Sequence, residues 1–405
     1  FVESDLAFTA NGLDYTSIKF EDNVNSSPDE RIKNENWSYV FQSQLNTDLT
    51  KKHTNQTGFR STVLNYNLLL RTAESGSFET VVDQKGSSSL HSIYSHSQFH
   101  LTPQLTVLGG MNYQYFDLNG QGLMEPRLAL KWSSQKRYAL GLAYGLHSRT
   151  ERLNYYLNRN SRGEELNRSL GLTRAHHFIG SYDLEINENL RFKAEPYYQV
   201  LFDVPVIEGT SFSFINLQND WFINEKLINE GRGRNYGIDL TLERFLNKGY
   251  YFLITSSFFR SEYRGGDGIW RNTAFDRRFI ANALIGKEWF IGKSKSNVLS
   301  INARLNYQGG QPFTPIDEAA SSVAMEALEI ENKAYSNRFD PMVVVHFSAS
   351  YRINKPKRSS VWTLSLLNAS MTEEFEGFAY NSRTRLVDKI SEALLIPNLS
   401  YKIEF

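Results

Sequence analysis

Charged side chains that could bind a solute recur at every second position in several segments of this sequence. Arg191, Lys193 and Glu195 alternate with apolar residues, and Asp239 and Glu243 do the same further along the chain. Side chains two positions apart on a β-strand share one face, so these charges would line one side of a sheet. The full set of candidate ligand-binding or lumen-lining residues is Glu125, Arg127, Arg191, Lys193, Glu195, Trp221, Asp239, Glu243, Trp270, Arg271 and Arg278. The alternative interpretation is that a wet interior simply tolerates charge.

The aromatic members of that set lie in or beside long polar segments. Trp221 and Trp270, with Arg271 next to the latter, could stack on a sugar or another flat ligand. They could equally belong to the belts of aromatic side chains that gather at membrane interfaces. Both interpretations stay open from the sequence.

Catalytic and metal-binding chemistry is not indicated. Cysteine is absent, which excludes disulfides and thiol chemistry. His176 and His177 are adjacent, so on a strand their side chains point to opposite faces and cannot form a two-histidine metal site. No nucleophile, base and orienting group stand in a recognisable arrangement. We expect a protein that is not an enzyme and that needs no metal or cofactor.

The composition is typical of a membrane barrel. The 405 residues include 44 basic and 44 acidic side chains, so no net charge would attract nucleic acid. Apolar runs are far shorter than the ~20 residues that a spanning helix needs. The chain is polar overall yet has 27 Phe, 22 Tyr and 6 Trp. These features predict an all-β fold, a transmembrane antiparallel β-barrel in which one face of each strand meets lipid.

Period-two alternation divides the chain into about sixteen strands and gives no linker, so residues 1–405 are interpreted as a single barrel domain. The predicted strands lie near 5–20, 36–47, 56–72, 88–101, 105–117, 123–133, 137–149, 175–187, 189–202, 234–246, 250–263, 275–289, 298–309, 342–353, 359–369 and 394–405. The apolar residues should face lipid, as for Phe192, Tyr198, Leu240, Leu128, Ile301 and Tyr401. The charged residues should face the lumen, because a Lys or Arg on the lipid face near the midplane costs about 2–4 kcal/mol.

The connections between these strands alternate in length. Short polar turns separate some strands, and long segments separate others, at 150–174, 203–233, 310–341 and 370–393. Outer-membrane barrels keep long loops at one rim and short periplasmic turns at the other. We therefore expect the long segments, with 21–35 and 73–87, to share one rim, and Phe1 and Phe405 to lie at the opposite rim. Within one loop, Asp317–Asn332 is rich in helix formers and predicts a short helix.

The last strand carries a separate signal, because it alternates regularly and ends in Phe405. Such a strand resembles the segment by which barrel-assembly machinery recognises outer-membrane barrels. The alternative is an ordinary final strand.

Several segments in the last three quarters of the chain resemble the barrel of TonB-dependent outer-membrane receptors, in particular the subgroup with a carboxypeptidase-regulatory-like N-terminal extension. The resemblance rests on EPRLALKW (125–132), GLAYGLHS (141–148), AEPYYQVLFDVPV (194–206), GRGRNYGIDLTLERF (231–245), GYYFLITSSFFRSEY (249–263), GKEWFIGKSKSN (286–297), NYQGGQPFTPID (306–317) and IPNLSYKIEF (396–405). It implies a twenty-two-stranded barrel with a plug domain, a TonB box and a Gram-negative outer-membrane location. It also implies TonB-powered import of a siderophore, haem, cobalamin, oligosaccharide or peptide.

The sequence departs from this family in two ways. Neither a plug domain nor a TonB box is visible in residues 1–405, and about sixteen strands are predicted instead of twenty-two. The resemblance therefore predicts that the chain is the C-terminal part of a barrel whose first strand meets further strands. Its expected partners are outer-membrane lipid, its own plug, the TonB complex, the assembly machinery and the solute, but not nucleic acid. The alternatives are a passive sixteen-stranded porin and a soluble carbohydrate-binding β-sandwich.

Overall fold

The computed structural model describes residues 1–20, 26–73, 78–134, 137–160, 162–217, 221, 223 and 225–405. All sixteen predicted strands are present, and short elements lie between them. In chain order the elements are β1 (Val2–Phe20), β2 (Ser26–Thr50), β3 (His53–Thr72), β4 (Glu79–His100), β5 (Leu105–Phe116), β6 (Gln121–Ser133), β7 (Tyr138–Arg149), α1 (Leu153–Leu157), β8 (Thr173–Asn187), β9 (Leu190–Ile207), β10 (Leu227–Asn247), β11 (Tyr250–Arg264), β12 (Trp270–Asn272), β13 (Phe279–Ile291), β14 (Asn297–Gln308), β15 (Pro312–Phe313), α2 (Glu318–Ala324), a 3₁₀ turn (Glu331–Lys333), β16 (Asn337–Arg338), β17 (Met342–Lys355), β18 (Arg358–Leu367), β19 (Glu374–Asn381), β20 (Leu386–Glu392) and β21 (Ile396–Glu404).

One antiparallel sheet of 17 strands contains every long strand together with the three-residue β12. Each long strand pairs with the next long strand along the chain, so the sheet is a continuous meander. Two small hairpin-like pairs, β15–β16 and β19–β20, lie in the connections. A single sheet of this width excludes the predicted alternative of two packed sheets in a β-sandwich.

The strands extend further toward the long-loop rim than the alternation predicted. The segments 21–35 and 73–87 were expected to be loops, but β2 begins at Ser26 and β4 at Glu79. Residues 21–25 and 74–77 lie outside the described residues. The sequence signal failed here because a ladder of backbone hydrogen bonds continues beyond the apolar band that makes the alternation visible.

The two rims of the sheet differ as predicted. Consecutive antiparallel strands place the long connections, including 150–172 and 309–341, at one rim and the tight turns at the other. Phe1 donates its ammonium to the Asn46 carbonyl oxygen at 2.8 Å, beside the turn that joins β2 to β3. Glu404 pairs with Ser359 beside another tight turn. Both chain ends therefore lie at the short-turn rim, and the expected parity is confirmed.

The two faces of the sheet are also as predicted. Leu128, Tyr198 and Tyr401 are exposed on the outer face. Glu195 and Asp239 line a cavity on the inner face, over which the loops fold. Neighbouring outer-face aromatic rings contact across strands, as with Trp362 and Tyr401 at a centroid distance of 4.4 Å. No helix among the described residues is long and apolar enough to cross a membrane.

The predicted helix in the longest connection is confirmed as α2. Asp317 precedes it, and its Oδ1 accepts a hydrogen bond from Ala320 N at 2.9 Å. This N-cap satisfies a backbone donor that would otherwise have no partner. The helix ends at Ala324, and the next residue, Met325, has a φ of 56° and turns the chain in a left-handed conformation.

The hydrophobic core lies at the long-loop rim, not along the middle of the sheet. Side chains from the inner-face ends of the strands pack there against residues of the connections. We call the described residues of these connections the loop lobe: α1, residues 158–160 and 162–172, Phe212–Leu217 and Ile223. Sealing apolar surface from water stabilises such a cluster by roughly 25 cal/mol per Å².

The sheet has two edges, formed by β1 and β21. β1 pairs with β2 and β21 pairs with β18, and within the described residues no ladder joins β1 to β21. The porin alternative requires that closure, and the structure does not support it.

Candidate functional site: a loop-roofed cavity on the inner face

A cavity of about 730 Å³ lies on the inner face of β8 to β11, near the long-loop rim. Alternation on these strands places every second side chain in its wall. The wall residues include Glu195, Tyr197 and Gln199 of β9 and Asn235 and Asp239 of β10. The volume is in the range of small-molecule sites.

Polar side chains form a row of hydrogen-bonded and ion-paired groups along this wall. Asn235 donates to Gln199 Oε1 at 3.2 Å and accepts from Ser261 Oγ at 2.7 Å. Asp239 accepts from Ser257 Oγ at 2.5 Å, and Glu195 lies 2.7 Å from Lys193 Nζ. Since each amide and carboxylate keeps lone pairs or donors beyond these bonds, the wall can exchange hydrogen bonds with a polar solute.

The loop lobe forms the roof of the cavity. Phe214, Ile215 and Leu217 contribute its apolar side. Phe214 contacts Tyr155 of α1 edge-on at a centroid distance of 4.9 Å. A Cβ at Gly233 would stand 2.6 Å from Ile215 Cδ1, so glycine allows the roof to lie directly on β10.

Buried amides hold the roof in place. Asn167 donates to Asn158 Oδ1 and to the Glu225 carbonyl oxygen, each at 3.1 Å, and accepts from Leu227 N at 2.8 Å. Asn154 donates to the Trp221 carbonyl oxygen at 3.1 Å. Buried polar groups are costly unless paired, so this network fixes one arrangement of two separate connections.

Tyr156 is the largest fully buried side chain of the lobe. Its hydroxyl oxygen accepts a hydrogen bond from Glu151 N at 3.2 Å. Burial raises the pKa of the Tyr156 phenol to about 12, because the ionised form would lose its hydration. The lobe therefore carries a neutral phenol at physiological pH.

Of the candidate residues from the sequence, the structure brings Glu195 and Asp239 together in this cavity. Arg191, Lys193 and Glu243 share the inner face but lie closer to the short-turn rim. Arg191 forms a salt bridge with Asp183 and is the register partner of Glu243. These residues extend the row of charged inner-face side chains from the cavity toward the short-turn rim.

Glu125 and Arg127 lie on the inner face of β6, on another part of the sheet. Glu125 is 2% exposed, and its oxygens accept from Asn112 Nδ2 at 2.8 Å, Ser148 N at 2.7 Å and Ser148 Oγ at 2.6 Å. Arg127 Nη2 lies 3.2 Å from Glu125 Oε2 and forms a salt bridge with it. The carboxylate thereby links β5, β6 and β7.

Arg127 also lines a second inner-face cavity of about 650 Å³, together with His96, His147 and His177. His176 instead stacks on Phe202 on the outer face, so the two adjacent histidines do point to opposite faces.

The remaining candidates lie at the long-loop rim. Trp221 has the Arg152 guanidinium 5.7 Å from its ring centroid, and Trp270 has that of Arg234 at 4.6 Å. Arg271 forms a bidentate pair with Asp267, at 3.0 and 2.6 Å.

Arg278 was expected within the strand near 275–289, but it lies in the connection before that strand, and its role as a lumen-lining residue stays a prediction. β13 begins one residue later, and Arg278 has a φ of 70° in the preceding connection. Its Nε lies 3.5 Å from Asp276, a buried carboxylate that also pairs with Arg338 at 2.9 Å. Asp276 accepts from Ser261 N at 3.0 Å, where β12 and β13 leave a gap in the ladder of β11. The alternation does not reveal such a break.

Sequence reasoning missed several lining residues. Tyr197, Gln199 and Asn235 share the alternating face of the charges but were not selected, because on the strands only charged positions were chosen. The roof residues were missed because 203–233 was treated as a structureless loop. The available signal was the density of apolar residues in Phe212–Leu217 (FSFINL) and in α1 (LNYYL).

Comparison with known proteins gives structural neighbours only. No protein-family profile and no curated sequence matches the chain. The ferric-catecholate import receptor Fiu of Escherichia coli K12 aligns with 100% of this chain and 62% of its own, at 11% identity and a TM-score of 0.69. The ferripyoverdine receptor of the outer membrane of Pseudomonas aeruginosa aligns with 99% of this chain and 53% of its own, at 11% identity and a TM-score of 0.68.

A third neighbour is the ferric yersiniabactin uptake receptor FyuA of Yersinia pestis, with a TM-score of 0.63, 11% identity, and coverage of 100% of this chain and 59% of its own. The chain thus spans between about half and two thirds of the length of these solved structures. At this identity the likeness concerns the fold. The chain has the barrel fold of the TonB-dependent outer-membrane receptors that its sequence resembles.

Proposed function

We propose that this chain is the larger part of the barrel of a TonB-dependent receptor in the outer membrane of a Gram-negative bacterium. In this role it binds a scarce solute at the long-loop side and admits it toward the periplasm. The observation that carries the proposal is the polar cavity on the inner face, roofed by a folded loop lobe at the rim opposite the chain ends. A receptor needs such a site on the outside, whereas an open pore does not.

The solute class we favour is a ferric siderophore. Fiu, the ferripyoverdine receptor and FyuA are described as receptors for iron complexes of this kind. The hydrogen-bonding wall with Glu195, Asp239 and Gln199 fits a polar ligand. Haem, cobalamin, an oligosaccharide and a peptide are the other candidate solutes.

We further propose that β1 and β21 are completed by strands outside residues 1–405 and that a plug domain occupies the lumen. An unpaired N–H or C=O in hydrocarbon costs several kcal/mol, so neither edge can remain open in a bilayer. The neighbours' additional length is consistent with such strands. Phe405, at the end of β21, is the proposed contact for the assembly machinery.

The proposal is tested by iron-limited growth on a panel of ferric siderophores, in strains that contain or lack TonB. We expect at least one siderophore to support growth only when both this protein and TonB are present. The double substitution Glu195→Gln with Asp239→Asn should weaken that growth, and Glu188→Gln, in a short turn, should not. Uptake that continues without TonB would contradict the receptor and favour a passive pore.

A further inference from the structure

On the outer face, β10 and β11 change from apolar to charged side chains near the long-loop rim, while β9 stays apolar there with Val200 and Phe202. The register aligns Phe178, Tyr198 and Tyr236 in one row across β8, β9 and β10. Two positions further toward the rim, the outer-face residues of β10 and β11 are Arg234 and Glu262. Aromatic rings followed by charges mark the boundary between the hydrocarbon and the headgroup region.

Directly above this boundary, two arginines face each other across strands. Arg232 of β10 is the register partner of Arg264 of β11. Like charges placed directly opposite on one face destabilise a strand pair. Within the described part of the chain, neither guanidinium has an ion pair, and the buried Nε of Arg264 has no hydrogen-bond partner.

The neighbouring arginines differ in this respect. Arg174 pairs with Asp203, and Arg234 pairs with Glu262 at 2.6 Å. The repulsion is therefore concentrated at Arg232 and Arg264.

A cavity of about 480 Å³ lies at this position. Arg232 and Arg264 line it, together with His176 and Phe202, whose rings stack at a centroid distance of 5.0 Å. The ladder between β9 and β10 shifts register on either side of Gly231, which widens the wall here. Asp203 and Glu230 also line the cavity. The charge of Asp203 is balanced by Arg174, so Arg232 and Arg264 leave an excess of one positive charge over Glu230.

We propose that this outer-face cavity binds the phosphate headgroup of a lipid in the outer leaflet. Arg232 and Arg264 would donate hydrogen bonds to the phosphate oxygens, since the guanidinium fork matches phosphate geometry and an anion removes their repulsion. The row of Phe178, Tyr198 and Tyr236 would contact the lipid below the headgroup. The occupant is a lipid because the cavity opens on the lipid-facing surface at headgroup level. This inference does not depend on solute import.

The test is native mass spectrometry of the full-length protein released from nanodiscs of phosphatidylcholine doped with phosphatidic acid. We expect the protein to retain phosphatidic acid in preference to phosphatidylcholine. The double substitution Arg232→Gln with Arg264→Gln should lower that retention about tenfold for each guanidinium removed. The matched control, Arg137→Gln with Arg358→Gln, removes the same charge at the short-turn rim and should leave retention unchanged.

Two further measurements keep the result interpretable. Arg232→Lys with Arg264→Lys keeps the charge and should restore part of the retention, which separates binding from misfolding. Inorganic phosphate, added to the wild-type protein, should not displace the lipid at equal concentration. Equal retention by wild type and the glutamine variant, an equal loss in the control, or full displacement by inorganic phosphate would each overturn the proposal.

Discussion

The loop lobe and the two edge strands are opposite environments within one sheet. In the lobe and the strand ends beneath it, Tyr156, Leu157 and Leu70 are all 0% exposed. On β1, Leu6 is 79% exposed, and on β21, Leu399 is 71% exposed. The lobe is thus a dry core made by loops, while the edge strands present apolar side chains and unpaired backbone groups.

This difference shows where the sheet supplies its own stabilisation and where it depends on a neighbour. The lobe buries its apolar residues and pairs the amides of Asn154, Asn158 and Asn167 within this chain. Only Asn216 Nδ2, among the described amides of the lobe, is buried without a partner. The outer-face side chains of the edge strands are apolar and can contact lipid. The backbone N–H and C=O groups at their free edges can form hydrogen bonds with another strand. Changes in the lobe should therefore act on the roof of the cavity, and changes at the edges should act on assembly in the membrane.

The largest effect is expected from Leu157→Ala in the lobe. Removing a fully buried leucine side chain costs about 2–5 kcal/mol through lost burial and the cavity that remains. We expect hydrogen exchange of residues 150–172 and 208–217 to accelerate while the strands stay protected. Leu142→Ala, at an exposed outer-face position of β7, is the control and should leave loop exchange unchanged. Unchanged exchange in the Leu157 variant would show that the lobe is not held by its core.

The second largest effect is expected from a substitution on the outer face of the edge strand β1. If β1 lies in a completed barrel, Leu6→Lys places a cation toward lipid and costs about 2–4 kcal/mol near the midplane. The folded fraction of the full-length protein in the outer membrane, measured by heat-modifiable electrophoretic mobility, should fall. Thr9→Lys on the inner face is the matched control and should fold normally. Equal folding of both variants would mean that the outer face of β1 does not meet lipid.

Strand positions and faces were predictable because they depend on one repeating pattern. In a strand such as β9, Arg191 and Phe192 lie on opposite faces whatever the neighbouring strands are. Alternation alone therefore predicts that a strand is present and which side chains share a face. The helix α2 was predictable from the helix formers concentrated in Asp317–Asn332. Both signals are local, and neither requires knowledge of which strands are neighbours.

The lobe and the Asp276 cluster were not predictable in the same way. Asn167 contacts Leu227 and Glu225, about sixty positions away in the sequence, and no local pattern specifies that pairing. Arg338 reaches Asp276 from another connection, at a gap in the ladder that the alternation does not reveal. Contacts between connections depend on how loops fold over the lumen, which is set by packing after the sheet forms.

A smaller effect is expected when the amide network of the lobe is cut. Asn167→Ala removes three hydrogen bonds and leaves Leu227 N and Asn158 Oδ1 without partners, at a cost of about 1–3 kcal/mol for each buried group. Asn167→Asp keeps the acceptor for Leu227 N but turns a buried carboxylate oxygen toward Asn158 Oδ1 and the Glu225 carbonyl oxygen, so it should destabilise the lobe at least as much as alanine does. Limited proteolysis within 208–227 would rank the three proteins, and cleavage of the aspartate variant as slow as that of the wild type would contradict the assigned bonds.

The smallest effect at neutral pH concerns the ionisation of Tyr156, which distinguishes the lobe from the two edge strands. Burial raises the pKa of this phenol from 10.0 to about 12. Since the folded-state pKa is raised, its contribution to stability is complete below the unfolded value and is lost as the pH rises through the folded one. Loop exchange, corrected for the intrinsic effect of pH, should therefore stay constant up to about pH 10 and accelerate between about pH 10 and 12. Tyr156→Phe loses the bond from Glu151 N, so its loops should open slightly more at every pH, but without this alkaline step. The edge strands contain no comparable buried phenol, and exchange of β1 should show no such step in either protein. A step that persists in the phenylalanine variant would assign the alkaline transition to another group.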